Sequence, residues 1–98
     1  MVRHIAVFRW KEGTSAEAIA EAKRRLDELP GLIAEIRRFA CGPDIGGADG
    51  HWDFAVAADF EDIAAYQVYA THEAHLSAVK ESIVPHRADR AVLQYAID

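Results

Sequence analysis

The sequence has only one cysteine, Cys41, few prolines and no long apolar run. A single thiol cannot form a disulfide within the chain, so the cysteine content gives no sign of an oxidising compartment. The apolar residues of the first segment are interrupted by His4 and Arg9, which makes it too short and too polar for a signal peptide or a membrane span. We therefore expect a cytoplasmic protein in which Cys41 is a small buried side chain.

The sequence also has fewer basic than acidic residues. Eleven Lys and Arg against sixteen Asp and Glu give a net charge of −5. Nucleic acids and anionic membranes attract an excess of positive charge, so we expect neither as a partner. Ninety-eight residues are enough for one hydrophobic core but not for two, and residues 1–98 are therefore expected to form a single domain.

The first strand is the clearest β segment of the chain. Its alternation places His4 and Phe8 on one face, whereas Ile5 and Val7 lie on the other. Both faces have apolar residues at their centre, which predicts a strand that is covered on both sides. The sequence predicts four strands, at residues 2–10, 34–41, 52–59 and 90–97.

Two helical regions separate these strands. In the first, Thr14 is the predicted N-cap, Glu17 completes a capping box, and Pro30 with Gly31 ends the helix. The second region, which ends at Pro85, is predicted to consist of two helices. These are capped by Asp62 and Thr71, with the break near Tyr69.

The predicted order of elements is β-α-β-β-α-β, which is typical of an α+β, ferredoxin-like subunit with helices on one sheet face. The other face would then expose Ile5 and Val7, and Val92 of the last strand is expected beside them. Because a monomer would leave this apolar face in water, we expect a homodimer that packs sheet against sheet.

The stretch "YATHEAH" contains the residues best suited to chemistry, namely Tyr69, His72 and His75. An imidazole can act as a base at neutral pH, and a phenol stays protonated and can donate a hydrogen bond. A metal site would need a third ligand from His86 or Asp89, because two imidazoles are too few, and we predict no metal. The simpler interpretation is a helix start whose polar groups are satisfied locally.

Several segments together resemble one family. These are "HIAVFRWKEG", "LPGLIAEIRRFACG", "WDFAVAADFED", "YATHEAH" and "VPHRADRAVLQY". In this order they resemble the stress-responsive dimeric α/β-barrel (Dabb) family. The resemblance implies a ferredoxin-like subunit, a dimeric α/β barrel and a cytoplasmic homodimer that needs no cofactor.

Some members of that family are plant polyketide cyclases, and the resemblance to them implies a site. Their Tyr-x-x-His-Pro-x-His pattern matches Tyr69, His72 and His75, with Glu73 in place of the proline. By this resemblance Tyr69 and His75 are the catalytic pair. A first-strand histidine of the cyclases corresponds to His4, whereas a first-helix tyrosine has no counterpart here. The expected pocket residues are His4, Phe8, Phe54 and His72.

Three functions remain open from the sequence. The first is acid/base catalysis of the aldol cyclase or lyase type on a carbonyl or polyketide-like compound, with His75 as base and Tyr69 as donor. The second is a non-catalytic, ligand-binding or stress-response oligomer, and the third is a cofactor-free monooxygenase. Tyr66, one helical turn before Tyr69, is the alternative phenol if the register differs by a turn.

Overall fold

The computed structural model describes residues 1–98 and contains one antiparallel sheet with helices on one face. The strands are β1 (Val2–Trp10), β2 (Arg38–Pro43), β3 (Phe54–Phe60) and β4 (Arg87–Ala96). They lie in the order β2-β3-β1-β4, so the first and third strands are central. This is the ferredoxin-like α+β arrangement that the sequence predicts.

The helical layer consists of short segments. They are α1 (Ala16–Asp27), α2 (Leu29–Leu32), α3 (Ile63–Thr71) and α4 (Glu73–Ala78), and α4 continues into a π-helical turn, Val79–Ile83. None of these helices is both long and apolar enough to cross a membrane.

The prediction that Thr14 caps the first helix is wrong by one residue. Ser15 is the N-cap, and its hydroxyl accepts a hydrogen bond from the Ala18 amide at 3.1 Å. The Thr14 hydroxyl instead donates to the Lys11 carbonyl and closes the turn before the helix. Pro30 does not end the helical region either, because it occupies the first turn of α2, where a missing amide hydrogen costs little.

This assignment of the cap predicts different costs for two neighbouring substitutions. Ser15→Ala should lower the free energy of unfolding by about 1 kcal/mol, because the Ala18 amide loses its partner. Thr14→Ala should cost clearly less, since it removes only a turn contact at the surface. Urea denaturation of the two variants measures both values, and equal costs would contradict the assignment.

The second helical region begins as predicted, but its first helix continues past Tyr69 to Thr71, and the cap of its second helix lies one residue later than predicted. Asp62 caps α3, and its carboxylate accepts from the Ala65 amide at 2.8 Å. Thr71 does not cap α4, because its hydroxyl donates to the Gln67 carbonyl of the preceding turn. His72 takes this place, with Nδ1 accepting from the Ala74 amide at 3.0 Å.

The strand bounds also differ from the prediction. β2 begins at Arg38 rather than at residue 34, because a turn in which the Ile36 amide bonds to the Ile33 carbonyl occupies the residues before it. β3 begins two residues later and ends one residue later than the predicted 52–59, and β4 begins at Arg87, three residues before its predicted start. The last difference matters for the site, because it brings Arg87 into the sheet.

The hydrophobic core lies between the sheet and the helices. His4 and Phe8 of β1 are buried on this side, as the alternation predicts. Cys41 is only half-buried, and its thiol donates to a carboxylate oxygen of Asp27 at 3.2 Å. Burial and this carboxylate raise the pKa of Cys41 to about 12, which makes the thiol unreactive at neutral pH. The largest fully buried side chains are Phe54, Phe60, Leu29, Ile33 and Ile83.

The sheet face without helices is apolar, but Val92 is not part of it. Leu93 pairs with Ile5, whereas Val92 pairs with Ala6. Directly opposed residues of antiparallel strands project to the same side, so Val92 lies on the helix side and Leu93 on the open side. The expectation for Val92 is therefore wrong. The apolar part of the open face consists of Ile5, Val7, Ala55, Ala57, Ala91 and Leu93, and the ion pair of Arg3 with Asp59 lies on the same face.

Candidate functional site

A cavity of about 160 Å³ lies between the sheet and the helical layer. Side chains from β1, β3, β4, α1, α3, α4 and the π-helical turn form its wall. Half of the lining residues are apolar, among them Phe8, Leu26 and Val92. The six polar or aromatic-polar lining residues are His4, Tyr66, Tyr69, His75, Arg87 and Arg90.

Four of the six site residues expected from the sequence line this cavity, namely Tyr69, His75, His4 and Phe8. Phe54 does not line it, because its ring is fully buried in the core and stacks against Phe8 with 6.2 Å between ring centres. His72 does not line it either, since its ring caps α4.

The helix break brings Tyr69 and His75 together. Tyr69 lies near the end of α3, and His75 lies in the first turn of α4. Between them His72 has an extended backbone, which turns the chain so that α4 packs beside α3. The ring centres of Tyr69 and His75 are consequently 4.3 Å apart, with an angle of 40° between the planes.

The surroundings of His75 define its protonation state. Its Nδ1 lies 3.2 Å from the Ala70 carbonyl oxygen. A carbonyl only accepts, so Nδ1 bears the hydrogen and Nε2 of the neutral ring has a free lone pair. Burial lowers the pKa of His75, a nearby His72 lowers it further, and the bond to Ala70 opposes these effects. At neutral pH the ring is therefore a neutral base.

Tyr69 has the complementary property. The side chain is 3% exposed, and burial raises its pKa well above the ordinary value, so the hydroxyl stays protonated. The hydroxyl has no hydrogen-bond partner in the chain. It is not fully enclosed, because the only fully enclosed side-chain polar atom without a partner is Trp10 Nε1. The Tyr69 hydroxyl therefore reaches open space, and the residue lines the cavity.

A second histidine and tyrosine contact each other in the wall of the same cavity. The rings of His4 and Tyr66 have centres 4.7 Å apart. His4 Nδ1 lies 3.1 Å from the side-chain oxygen of Gln94, which orients the ring. Burial lowers the pKa of His4, the bond to Gln94 opposes this effect, and positive charge on Arg90 or on a protonated His75 acts in the same direction as burial. Tyr66 thus lines the same cavity as Tyr69.

The two buried histidines predict that stability depends on pH. Their pKa values are lowered in the folded state, so below about pH 6.5 the unfolded chain binds more protons than the folded one. The stabilisation that the neutral, buried rings provide is fully present above that pH, and it is lost as the pH falls towards the lowered pKa values. The urea midpoint should thus be lower at about pH 5.5 than at about pH 7.5, and His75→Asn should reduce the difference. Equal midpoints in the wild type would contradict the burial of neutral rings.

Two arginines of the site were not anticipated from the sequence. Arg90 pairs with Phe8 across β1 and β4, and Arg87 pairs with Trp10 after an irregularity in the register. Both therefore share the helix-facing side with His4. The alternation of β4 alone could not show this, because it gives no register relative to β1. Nowhere in the structure do three His, Cys, Asp or Glu side chains come together in a way that could hold a metal ion.

Comparison with known proteins agrees with this architecture. The sequence model of the stress-responsive A/B barrel domain matches residues 2–97. A dimeric ferredoxin-like protein of unknown function from Thermobifida fusca is 36% identical, with a TM-score of 0.89 over 98% of this chain and 90% of that chain. A dimeric protein of unknown function with a ferredoxin-like fold from Bacteroides fragilis is 26% identical, with a TM-score of 0.86 over 98% and 95%.

Named activities occur among the similar structures. A hydroxynitrile lyase from Passiflora edulis is 26% identical, with a TM-score of 0.84 over 99% of this chain and 93% of that chain. A search among curated proteins finds no match.

Proposed function

The chain belongs to the stress-responsive A/B barrel domain family, and we propose that its cavity performs acid/base catalysis on a small carbonyl compound, as an aldol-type cyclase or a lyase. The main support for this proposal is the arrangement of two side chains. A neutral imidazole with a free lone pair and a protonated phenol without a partner line one small cavity, with ring centres 4.3 Å apart. The catalytic residues of the proposal are His75 and Tyr69.

The two groups suit the two halves of enolate chemistry. His75 Nε2 takes a proton from the carbon next to the carbonyl, and the electron pair of that C–H bond moves onto the carbonyl oxygen. The Tyr69 hydroxyl donates a hydrogen bond to this oxygen as its negative charge develops. In a ring closure the enolate carbon then attacks a second carbonyl of the same molecule, and the new alkoxide takes the proton back from His75.

The side chains of the cavity are sufficient for this sequence of steps, so we propose that no cofactor is required. The proton that leaves the carbon returns to the product, which means that the reaction needs neither an oxidant nor a reductant. A hydroxynitrile lyase among the similar structures supports acid/base chemistry on this fold.

We also propose that the protein works as a homodimer that buries the open sheet face. Similar structures from Thermobifida fusca and Bacteroides fragilis are dimeric. On the open face Leu93 is 62% exposed in the subunit, and it adjoins the apolar residues Ile5 and Ala91. Covering such a patch with a second copy removes apolar surface from water without exposing a new edge.

A small diketone tests the catalytic proposal. Hexane-2,5-dione has exchangeable hydrogens next to two carbonyls and closes to a methylcyclopentenone by an intramolecular aldol reaction with loss of water. We expect the protein in heavy water to speed deuterium incorporation into this compound, which proton NMR follows directly. If the compound binds and exchange stays at the buffer rate, the cavity is a passive binding site, and the ligand-binding alternative replaces the proposal.

A further inference from the structure

Arg87 and Arg90 are cations that line the cavity without a carboxylate partner. Neither guanidinium group forms an ion pair or a hydrogen bond with any group of the chain, although the chain has five more acidic than basic residues. Arg3, Lys23, Arg24, Arg25 and Arg37, in contrast, each form an ion pair with a carboxylate.

The two arginines place positive charge at the cavity wall, Arg87 on a partly buried side chain and Arg90 on an exposed one. Arg87 is partly buried, and its guanidinium carbon lies 5.9 Å from the centre of the Phe8 ring, which fixes it at the wall. Burial and the charge of Arg90 both lower the pKa of Arg87, and Arg90 also acts against a charge on His4. A bound anion would offset the repulsion between the two guanidinium groups and the partial loss of hydration of Arg87.

We propose that the ligand of this cavity is an oxo acid, whose carboxylate is held by Arg87 and Arg90. Guanidinium groups bind carboxylates through paired, charge-assisted hydrogen bonds, which are stronger than bonds between neutral groups. The carbonyl end then lies against Tyr69 and His75, and this orientation rests on the proposed function. The volume of about 160 Å³ suits a small acid, since an engineered cavity of about 150 Å³ holds benzene.

Two isosteric probes separate charge from shape. 4-Oxopentanoate and hexane-2,5-dione have the same number of non-hydrogen atoms and the same methyl ketone, but only the first has a carboxylate. At low salt we expect the wild type to bind the acid at least about tenfold more tightly, as judged from NMR shifts of the cavity residues. Added salt should reduce this preference.

Substitutions that remove one positive charge at a time show which arginine causes the preference for the acid. Arg90→Gln should weaken binding of 4-oxopentanoate about fivefold or more and should affect binding of the diketone much less, and Arg87→Gln should act in the same way. Lys80→Gln is the matched control, because Lys80 is exposed, lies outside the cavity lining and has no ion pair. If the partly buried Arg87 variant does not fold, the exposed Arg90 decides the test.

The outcomes are distinct from those of the catalytic test. Preference for the acid that disappears in Arg90→Gln but persists in Lys80→Gln supports the oxo-acid site, even if no deuterium exchange occurs. Equal binding of the two probes, no binding of the acid, or equal losses in the Arg90 and Lys80 variants would overturn it. Deuterium exchange without any preference for the acid leaves the catalytic proposal intact.

Discussion

His75→Ala is expected to lower the rate of deuterium incorporation into hexane-2,5-dione by about 10²–10⁴-fold, because the neutral ring supplies the base. Tyr69→Phe should lower it by about 10²–10³-fold, since the enolate oxygen loses its hydrogen-bond donor. The wild-type rate should rise with pH through the lowered pKa of His75 and then level off. In Tyr69→Phe the pH profile should keep this shape, because the base is still present.

Matched substitutions outside the cavity serve as controls for these variants. His51→Ala removes an imidazole that binds Asp44 in an exposed loop, and Tyr95→Phe removes a phenol from a strand position outside the cavity lining. Both should retain the wild-type exchange rate. If Tyr66→Phe loses as much activity as Tyr69→Phe, or more, the hydrogen-bond donor is misassigned. Full activity in His75→Ala would remove the proposed base altogether.

Leu93→Asp is expected to convert the homodimer into monomers. If the open sheet face is the dimer contact, each carboxylate would be buried without a partner, at a cost of about 3–5 kcal/mol. The two-fold symmetry of a dimer repeats this cost, so the dissociation constant should rise by several orders of magnitude. Light scattering coupled to size-exclusion chromatography gives the mass of the variant directly.

Leu32→Asp provides a control of nearly equal exposure. Leu32 of α2 is 58% exposed in the subunit, against 62% for Leu93, but it lies in the helical layer. The two variants should therefore have similar stability as isolated subunits and differ only in association. A dimer that survives Leu93→Asp, or one that both variants dissociate equally, would show that the open face is not the contact.

The parts of the fold that were predictable are those set by local pattern. Alternation in β1 identified the buried face of His4 and Phe8, and Asp62 was recognisable as a cap from its position before an apolar helix. The first cap was displaced from Thr14 to Ser15 because two adjacent hydroxyls compete for the same role. Which of them bonds to the helix amide depends on the preceding turn, which the sequence does not specify.

Only part of the site was predictable, because local sequence does not determine how β4 is aligned with β1. Tyr69 and His75 were assigned by their resemblance to the cyclase motif. Their rings lie close together because of the break between the two helices, which the predicted caps already indicated. Arg90 and Val92 were not assigned to the cavity, because their side depends on how β4 is aligned with β1, and Arg87 lay before the predicted start of that strand. A shift of one residue in that register would exchange the two faces of the strand, and nothing in a single sequence determines it.

The most direct test of the acid/base site is an NMR titration of the five histidines, in the wild type and in Tyr69→Phe, with the ring nitrogens observed. We expect that His75 titrates below its ordinary pKa, has its hydrogen on Nδ1 when neutral, and shifts its titration when the Tyr69 hydroxyl is removed. If His75 titrates like a free imidazole in both proteins, the ring is solvated and the pair does not form an acid/base site.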